Sequence, residues 1–213
     1  MKSDKIFSLK ISLSGSSPSI WRRIWVPADY SFFDLHCSIQ NAMGWFDSHL
    51  HGFSIGQKGT AKTISIKFPD PEGENSFWED DDYKDERSEK IGDYFGKSIK
   101  QCVYTYDYGD SWNHTVLFEK EMEADSKQRY PQCIAGKNAC PPEDCGGLGG
   151  YYHLIKVLKN SKNEEHEDML EWLGLEDPRE FDPTYFDPKE VEFEDPKKRL
   201  KEVEEGFGVK PLK

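Results

Sequence analysis

From Lys5 to Leu13 the chain reads KIFSLKISL, and its character changes at every step: Phe7, Leu9, Ile11 and Leu13 alternate with Ile6, Ser8, Lys10 and Ser12. A period of two is the spacing of a half-buried strand, because successive side chains leave an extended backbone on opposite sides. The stretch SIWRRIWVP, Ser19 to Pro27, reads as a second strand, and Gly15-Ser16-Ser17-Pro18 before it has the composition of a turn. Arg22 and Arg23, being neighbours on a strand, point to opposite faces; they are expected to be solvated strand charges rather than a phosphate clamp.

The period then switches. In SFFDLHCSIQNAMGW, Leu35, Ile39 and Ala42/Met43 recur at helical spacing, and Gly44 is placed to end the helix. HLHGFSIG returns to alternation, which sends His49 and His51 to one side, as two ligands of a single metal or two partners of one carboxylate require; Phe53 and Ile55 share that side. The acidic, polar run at about residues 70–89 is expected to be a mobile surface excursion. Further on, YYHLIKVLKN has Tyr151, Leu154, Ile155 and Leu158 on one helical side, NEEHEDMLEWLG reads as a helix stopped by Gly174, and PKKRLKEVEEGFG as a short charged helix. With no internal repeat and no linker, the expectation is a single α+β domain over residues 1–213, an antiparallel sheet with helices packed on it and a helical C-terminal part from about residue 150.

Composition narrows the function. At 213 residues, with 36% hydrophobic and 14% aromatic side chains, the chain can bury a real core. A net charge of −12 disfavours duplex nucleic acid as a partner, since phosphate neutralisation demands a basic face. No apolar run approaches the roughly 20 residues that span a bilayer, and the N-terminal MKSDKIFSLKISLSG lacks a signal peptide's unbroken apolar stretch, so a cytoplasmic protein with no membrane partner is expected. Five cysteines, an odd number, then argue for reduced thiols or a metal site over a disulfide framework.

The candidate chemistry lies in three places. QCVYTYDYGDSWNHTVLFEKE, Gln101 to Glu121, reads as a hairpin. A two-residue type II′ turn at Gly109-Asp110 would set Tyr108 opposite Ser111, Asp107 opposite Trp112 and Thr105 opposite His114, so that Asp107, Trp112 and His114 share a face. A loop of one different length would pair Tyr106 with His114 instead. Cys133, Cys140 and Cys145 have the spacing C-x6-C-x4-C, which is not a zinc-ribbon knuckle but could converge on zinc, with His153 as a fourth ligand. In NACPPEDCGGLGGYYH, Asn138 to His153, two prolines and a pair of glycines bracket Glu143 and Asp144, a rigid loop that aims carboxylates at helix N–H groups or at a site beside Trp112 and His114.

Four ordered motifs, GWFDSHLHGF, YTYDYGDSWNH, ACPPEDCGGLGGYYH and FDPTYFDPKEV, resemble the plasmid pRiA open-reading-frame-three-like family from about Lys5 to Val191. The family's hairpin pattern, Tyr-Asp-Phe-Gly-Asp-x-Trp-x-His, falls on Tyr106, Asp107, Tyr108, Gly109, Asp110, Trp112 and His114, with Tyr108 in place of the usual Phe. The resemblance implies an uncharacterised protein, of a kind sometimes encoded near plasmid or mobile-element functions, and carries no catalytic assignment. Two classes of function stay open on the residues themselves. One is a non-catalytic binding module whose aromatic-lined polar cleft, with Trp112, Tyr104, Tyr106 and Tyr151, holds a protein or peptide partner or single-stranded nucleic acid. The other is a divalent-metal-dependent hydrolase, phosphodiesterase or nuclease-like, built from His49, His51, Asp107, Asp110, His114, Glu143 and Asp144. The second requires His49, His51, Asp107 and His114 to converge.

Overall fold

The computed structural model describes residues 4–56, 62–69, 83–97 and 99–212. The alternating segments are strands: β1 (Lys5–Leu13), β2 (Trp21–Pro27), β3 (His51–Gly56), β4 (Thr63–Lys67), β5 (Tyr83–Asp85), β6 (Gln101–Tyr106), β7 (Trp112–Glu123) and β8 (Gln132–Lys137). They form one eight-stranded sheet in the order β5-β4-β3-β6-β7-β1-β2-β8. Every neighbouring pair is antiparallel except β4 with β5, which run parallel, so the sheet is mixed where a purely antiparallel one was expected. Of the acidic run at about residues 70–89, residues 70–82 lie outside the described residues; Tyr83 to Glu89 form β5 and a turn in which Glu86 is fully buried.

The helices are α1 (Phe32–Met43), α2 (Ile91–Tyr94), α3 (Gly147–Leu158), α4 (His166–Leu173) and α5 (Pro196–Gly206). None is long and apolar enough to cross a membrane among the described residues. Helix α1 begins with a reciprocal cap, since Ser31 Oγ accepts from the Asp34 N–H and Asp34 Oδ2 accepts from the Ser31 N–H, and it ends at Gly44 with φ of 92°. Its apolar side, Phe32, Leu35, Ile39, Ala42 and Met43, joins Leu9, Ile11, Ile24 and Val26 of the central strands in the core. The C-terminal stretch uses one device four times: Asp177, Asp182, Asp187 and Asp195 each precede a proline and accept a hydrogen bond from the N–H two residues on.

Strand alternation separates Arg22 from Arg23 as expected, but only Arg23 stays near solvent, forming two 2.8 Å hydrogen bonds with the Glu119 carboxylate. Arg22 turns inward and is 1% exposed, which corrects its reading as a solvated charge. Its guanidinium donates to the carbonyls of Ala42 (2.9 Å), Asn138 (2.9 Å), Trp21 (3.0 Å) and Lys137 (3.2 Å), and lies 3.6 Å over the Phe186 ring. The end of α1 leaves carbonyls without helical partners, and a buried cation with a planar fork of donors can satisfy several at once. Phe186 reaches this position because Gly136 has no side chain, for a Cβ there would sit 2.2 Å from the ring. Arg22→Lys is expected to lower unfolding free energy by about 2 kcal/mol or more, because one ammonium cannot serve those carbonyls. Arg23→Lys should cost under about 1 kcal/mol. Urea denaturation of the two variants makes the comparison.

Candidate functional site

The hairpin pairs Tyr106 with Trp112, Thr105 with Asn113 and Tyr104 with His114, leaving residues 107–111 as its loop. Both registers considered from the sequence are therefore off by at least one position. The cause lies in the loop: Asp107 and Ser111 take left-handed φ values of 53° and 56°, the Asp107 carboxylate accepts from the Gly109 N–H at 2.9 Å, and the Ser111 N–H donates to the Asp107 carbonyl at 2.7 Å. Aspartate tolerates this conformation because its short side chain can bond the backbone two residues on. The register sends Tyr104, Tyr106, Trp112 and His114 inward, each no more than 1% exposed, while Asp107 leaves the ladder.

This overturns the aromatic-lined cleft. Trp45 packs at 5.0 Å from Tyr106, 5.3 Å from His114 and 5.8 Å from Trp112, and Tyr151 is likewise buried against Phe181, so the rings form core instead of a surface on which a ligand could stack. His114 lies deep in this cluster. The carbonyls of Tyr104 and Trp112 favour its charged form, but neither ring nitrogen has a partner of hydrogen-bond geometry, and burial pulls its pKa down to about 4.

The loop with Glu143 and Asp144 lies beside the hairpin, and its two carboxylates have different jobs. Glu143 accepts from the Tyr106 hydroxyl at 2.5 Å and from the Phe46 N–H at 2.9 Å, while Trp45 Nε1 donates to the Pro141 carbonyl at 2.9 Å. Asp110, from the hairpin loop, accepts from the Gly146 N–H at 3.0 Å. Glu143 and Asp110 are thus clamps that join three loops. Asp144, with φ of 58°, points away from the core and its side chain is 66% exposed. Its Oδ1 is 3.1 Å from His49 Nε2, and Asp107 Oδ2 is 3.9 Å from the same nitrogen. Ligand atoms of His49, Asp107 and Asp144 all lie within 4.8 Å of one another. The His49 Nε2 atom is shielded from solvent, yet its approach to Asp144 lacks hydrogen-bond geometry.

His51 belongs elsewhere. Strand β3 starts at His51, so His49 precedes it in irregular backbone and the alternation that would align the two does not apply. The His51 ring stacks on His36 of α1, centroids 3.3 Å apart and planes 1° from parallel, and its Nε2 faces both Glu86 oxygens at 2.9 and 3.0 Å. His36 Nε2 lies 2.9 Å from Asp47 Oδ1, and its Nδ1 lies 2.8 Å from the Tyr104 hydroxyl, which also accepts from Gln40. Burial lowers the His36 pKa, with the neighbouring His51 adding to it; burial would raise Asp47, but His36, His51 and Arg199 outweigh it and hold the carboxyl at about 2. The expected convergence of His49, His51, Asp107 and His114 is thus reduced to His49 with Asp107. His36, Asp47 and Glu86 escaped notice in the sequence. The spacing of His36 and Gln40, one helical turn apart beside the apolar stripe, was their available signal.

The cysteines do not gather. All five are free, and neither metal-capable group among the described residues contains one. Burial raises the thiols of Cys133 to about 11 and Cys145 to about 12, and Cys140 higher still. His153 bonds Glu165 at 2.8 Å instead of joining them.

With this geometry in hand, comparison with known proteins places the chain. A model of the plasmid pRiA4b ORF-3-like proteins matches residues 5–190. The chain belongs to this family. It is 31% identical over 172 residues to the uncharacterized protein y4hQ of Sinorhizobium fredii, covering 81% of this chain and 82% of that protein. It is also similar to the crystal structure of MM3350 from Methanosarcina mazei Go1, described as a protein of unknown function, with 43% identity, a TM-score of 0.77, and coverage of 90% of this chain and 99% of that one. The pRiA4b ORF-3-like motifs quoted from the sequence carry Asp107, Asp144 and His49, the residues that meet here.

Two outcomes are expected of the clamps and the core. Glu143→Gln keeps the shape but weakens a charge-assisted acceptor of two bonds, and should lower stability by about 1–2 kcal/mol in thermal unfolding. His114 has a folded pKa of about 4 against an ordinary 6.5, so between those values the unfolded chain takes a proton the fold refuses. Its stabilising contribution is complete above pH 6.5 and is lost as pH falls toward 4, about 3 kcal/mol in all. Replacing it, His114→Leu, should therefore flatten the stability profile over this window, as read by urea midpoints at a series of pH values.

Proposed function

We propose that this protein binds a divalent cation at His49, Asp107 and Asp144 and presents it to an anionic ligand. The observation that carries the reading is the His49 Nε2 atom, hidden from solvent, without a hydrogen-bond partner, and facing carboxylate oxygens at 3.1 and 3.9 Å. A buried ring nitrogen left unsatisfied is costly, and a metal is one partner that a nitrogen and two carboxylate oxygens can share. One imidazole and two carboxylates form a hard to borderline donor set suited to manganese, magnesium or zinc. The neutral ring is the ligand, and the two carboxylates offset the charge of the ion.

Three protein donors leave coordination positions for water or ligand, the arrangement of working metal sites as opposed to closed structural ones. The exposure of Asp144 puts those positions on the solvent side. This same feature supports the second reading, hydrolysis of an ester or phosphoester by metal-bound water, because a cation lowers the pKa of its water and polarises the bond under attack without a separate base. The hairpin loop and the Pro141-Pro142 loop supply rigidity. Glu143 and Asp110 hold them together and leave Asp107 and Asp144 free to serve the ion.

Isothermal titration of the chelator-treated protein with Mn2+ should show binding that falls at least about tenfold in His49→Ala and in Asp144→Asn. Equal affinity in wild type and both variants would refute the site. Assay of bis(p-nitrophenyl) phosphate with and without Mn2+ separates simple cation-dependent binding from hydrolysis.

A further inference from the structure

A second group of side chains is built differently. His36 of α1, His51 of β3, Asp47 and Glu86 meet in the interior, where the side chains of His36 and Glu86 are fully buried and those of His51 and Asp47 only 8% and 14% exposed. Ligand atoms of His36, Asp47 and His51 lie within 4.8 Å of one another, and Glu86 meets His51 Nε2 at 2.9 Å. We propose that these four residues form a second, closed site for a divalent transition metal such as zinc, which fastens α1 to the sheet.

Three observations point that way. Two imidazoles stacked at 3.3 Å with parallel planes, each turning its Nε2 to a different carboxylate, bring two nitrogen and two carboxylate donors together in the interior. Four donors is the number that tetrahedral zinc takes, with His36, Asp47 and His51 already gathered and Glu86 reaching the group through His51. Next, the far nitrogen of His36 is held by the Tyr104 hydroxyl, itself fixed by Gln40, which orients the ring in the manner of a metal ligand steadied from behind. Finally, the charge is uneven: Arg199 of α5 donates to Asp47 Oδ2 at 2.7 Å, whereas both oxygens of the buried Glu86 carboxylate face His51 Nε2. A buried carboxylate needs a compensating charge, and a dication bound at the Nε2 edges of the two rings would supply it to both acids.

Helix α5 closes the pocket from outside. Besides Arg199 on Asp47, its Glu204 accepts from Arg87 Nη1 at 2.8 Å, and Arg87 follows Glu86 directly. The site is therefore covered at two points, unlike the open one at Asp144. Its residues are separate from those of the proposed function, so the two ideas succeed or fail independently.

The test uses the full chain carrying Asp144→Asn, which weakens the open site and leaves the closed one intact. After chelation it should still take up one equivalent of Co2+, with the visible absorption of tetrahedral coordination, and excess Zn2+ should raise its melting temperature by about 5 °C or more. In the same background, Glu86→Gln should abolish or weaken cobalt uptake at least about tenfold. If that variant fails to fold, Asp144→Asn decides alone. Absence of cobalt uptake together with an unmoved melting temperature in Asp144→Asn would overturn the proposal and leave a purely hydrogen-bonded cluster. Cobalt uptake undiminished by a folded Glu86→Gln variant would overturn it equally.

Discussion

The register of the β6–β7 hairpin governs most of what surrounds it. Because side chains alternate along a strand, a slip of one residue would turn Tyr104, Tyr106, Trp112 and His114 outward and carry their neighbours into the core. The loop at residues 107–111 prevents this by placing Asp107 and Ser111 in left-handed conformations that a two-residue turn would not need. Once the register is set, Trp45 has rings to pack on, the Tyr106 hydroxyl has Glu143 to bond, and the Pro141-Pro142 loop has a surface to lie against. The candidate metal residues Asp107 and Asp144 are delivered as consequences of the same packing.

A second theme is how the short segment from Trp45 to His51 serves both clusters. Backbone irregularity before β3 turns His49 toward the hairpin and Asp47 toward α1, while the first strand residue, His51, points at His36 and Glu86. One open and one closed arrangement thus share a stretch of chain without sharing ligands. Arg22 plays a related part on the other side of the core, where its donors join β2, the end of α1 and the Lys137–Asn138 carbonyls. Arg22, Tyr104 and Glu143 work as joints between elements, each bonded to more than one of them.

Membership of the pRiA4b ORF-3-like family, and likeness to a solved archaeal structure at 43% identity, establish what kind of chain this is without naming its chemistry. The rings of Tyr104, Tyr106 and Trp112 are inside, whereas the Asp144 carboxylate beside His49 is exposed.

Much of the secondary structure was legible in the sequence. Alternation marked β1, β2, β6 and β7, and the Gly44 end of α1 follows from capping chemistry that operates within a few residues. The motif around Glu143 and Asp144 was also legible as a loop, which hydrogen bonds to Tyr106 and Asp110 hold beside the hairpin. Local periodicity could not disclose that β5 lies parallel to β4, that Arg22 is buried on carbonyls, or that His51 parts from His49 to join His36, Asp47 and Glu86. Those outcomes depend on groups far apart in the chain and on the one-residue register of a loop. Sequence by itself determined which segments alternate; tertiary packing decided where β3 begins, how long the hairpin loop is and which way the charged and imidazole side chains face, because burial makes each of them seek partners that local pattern does not supply.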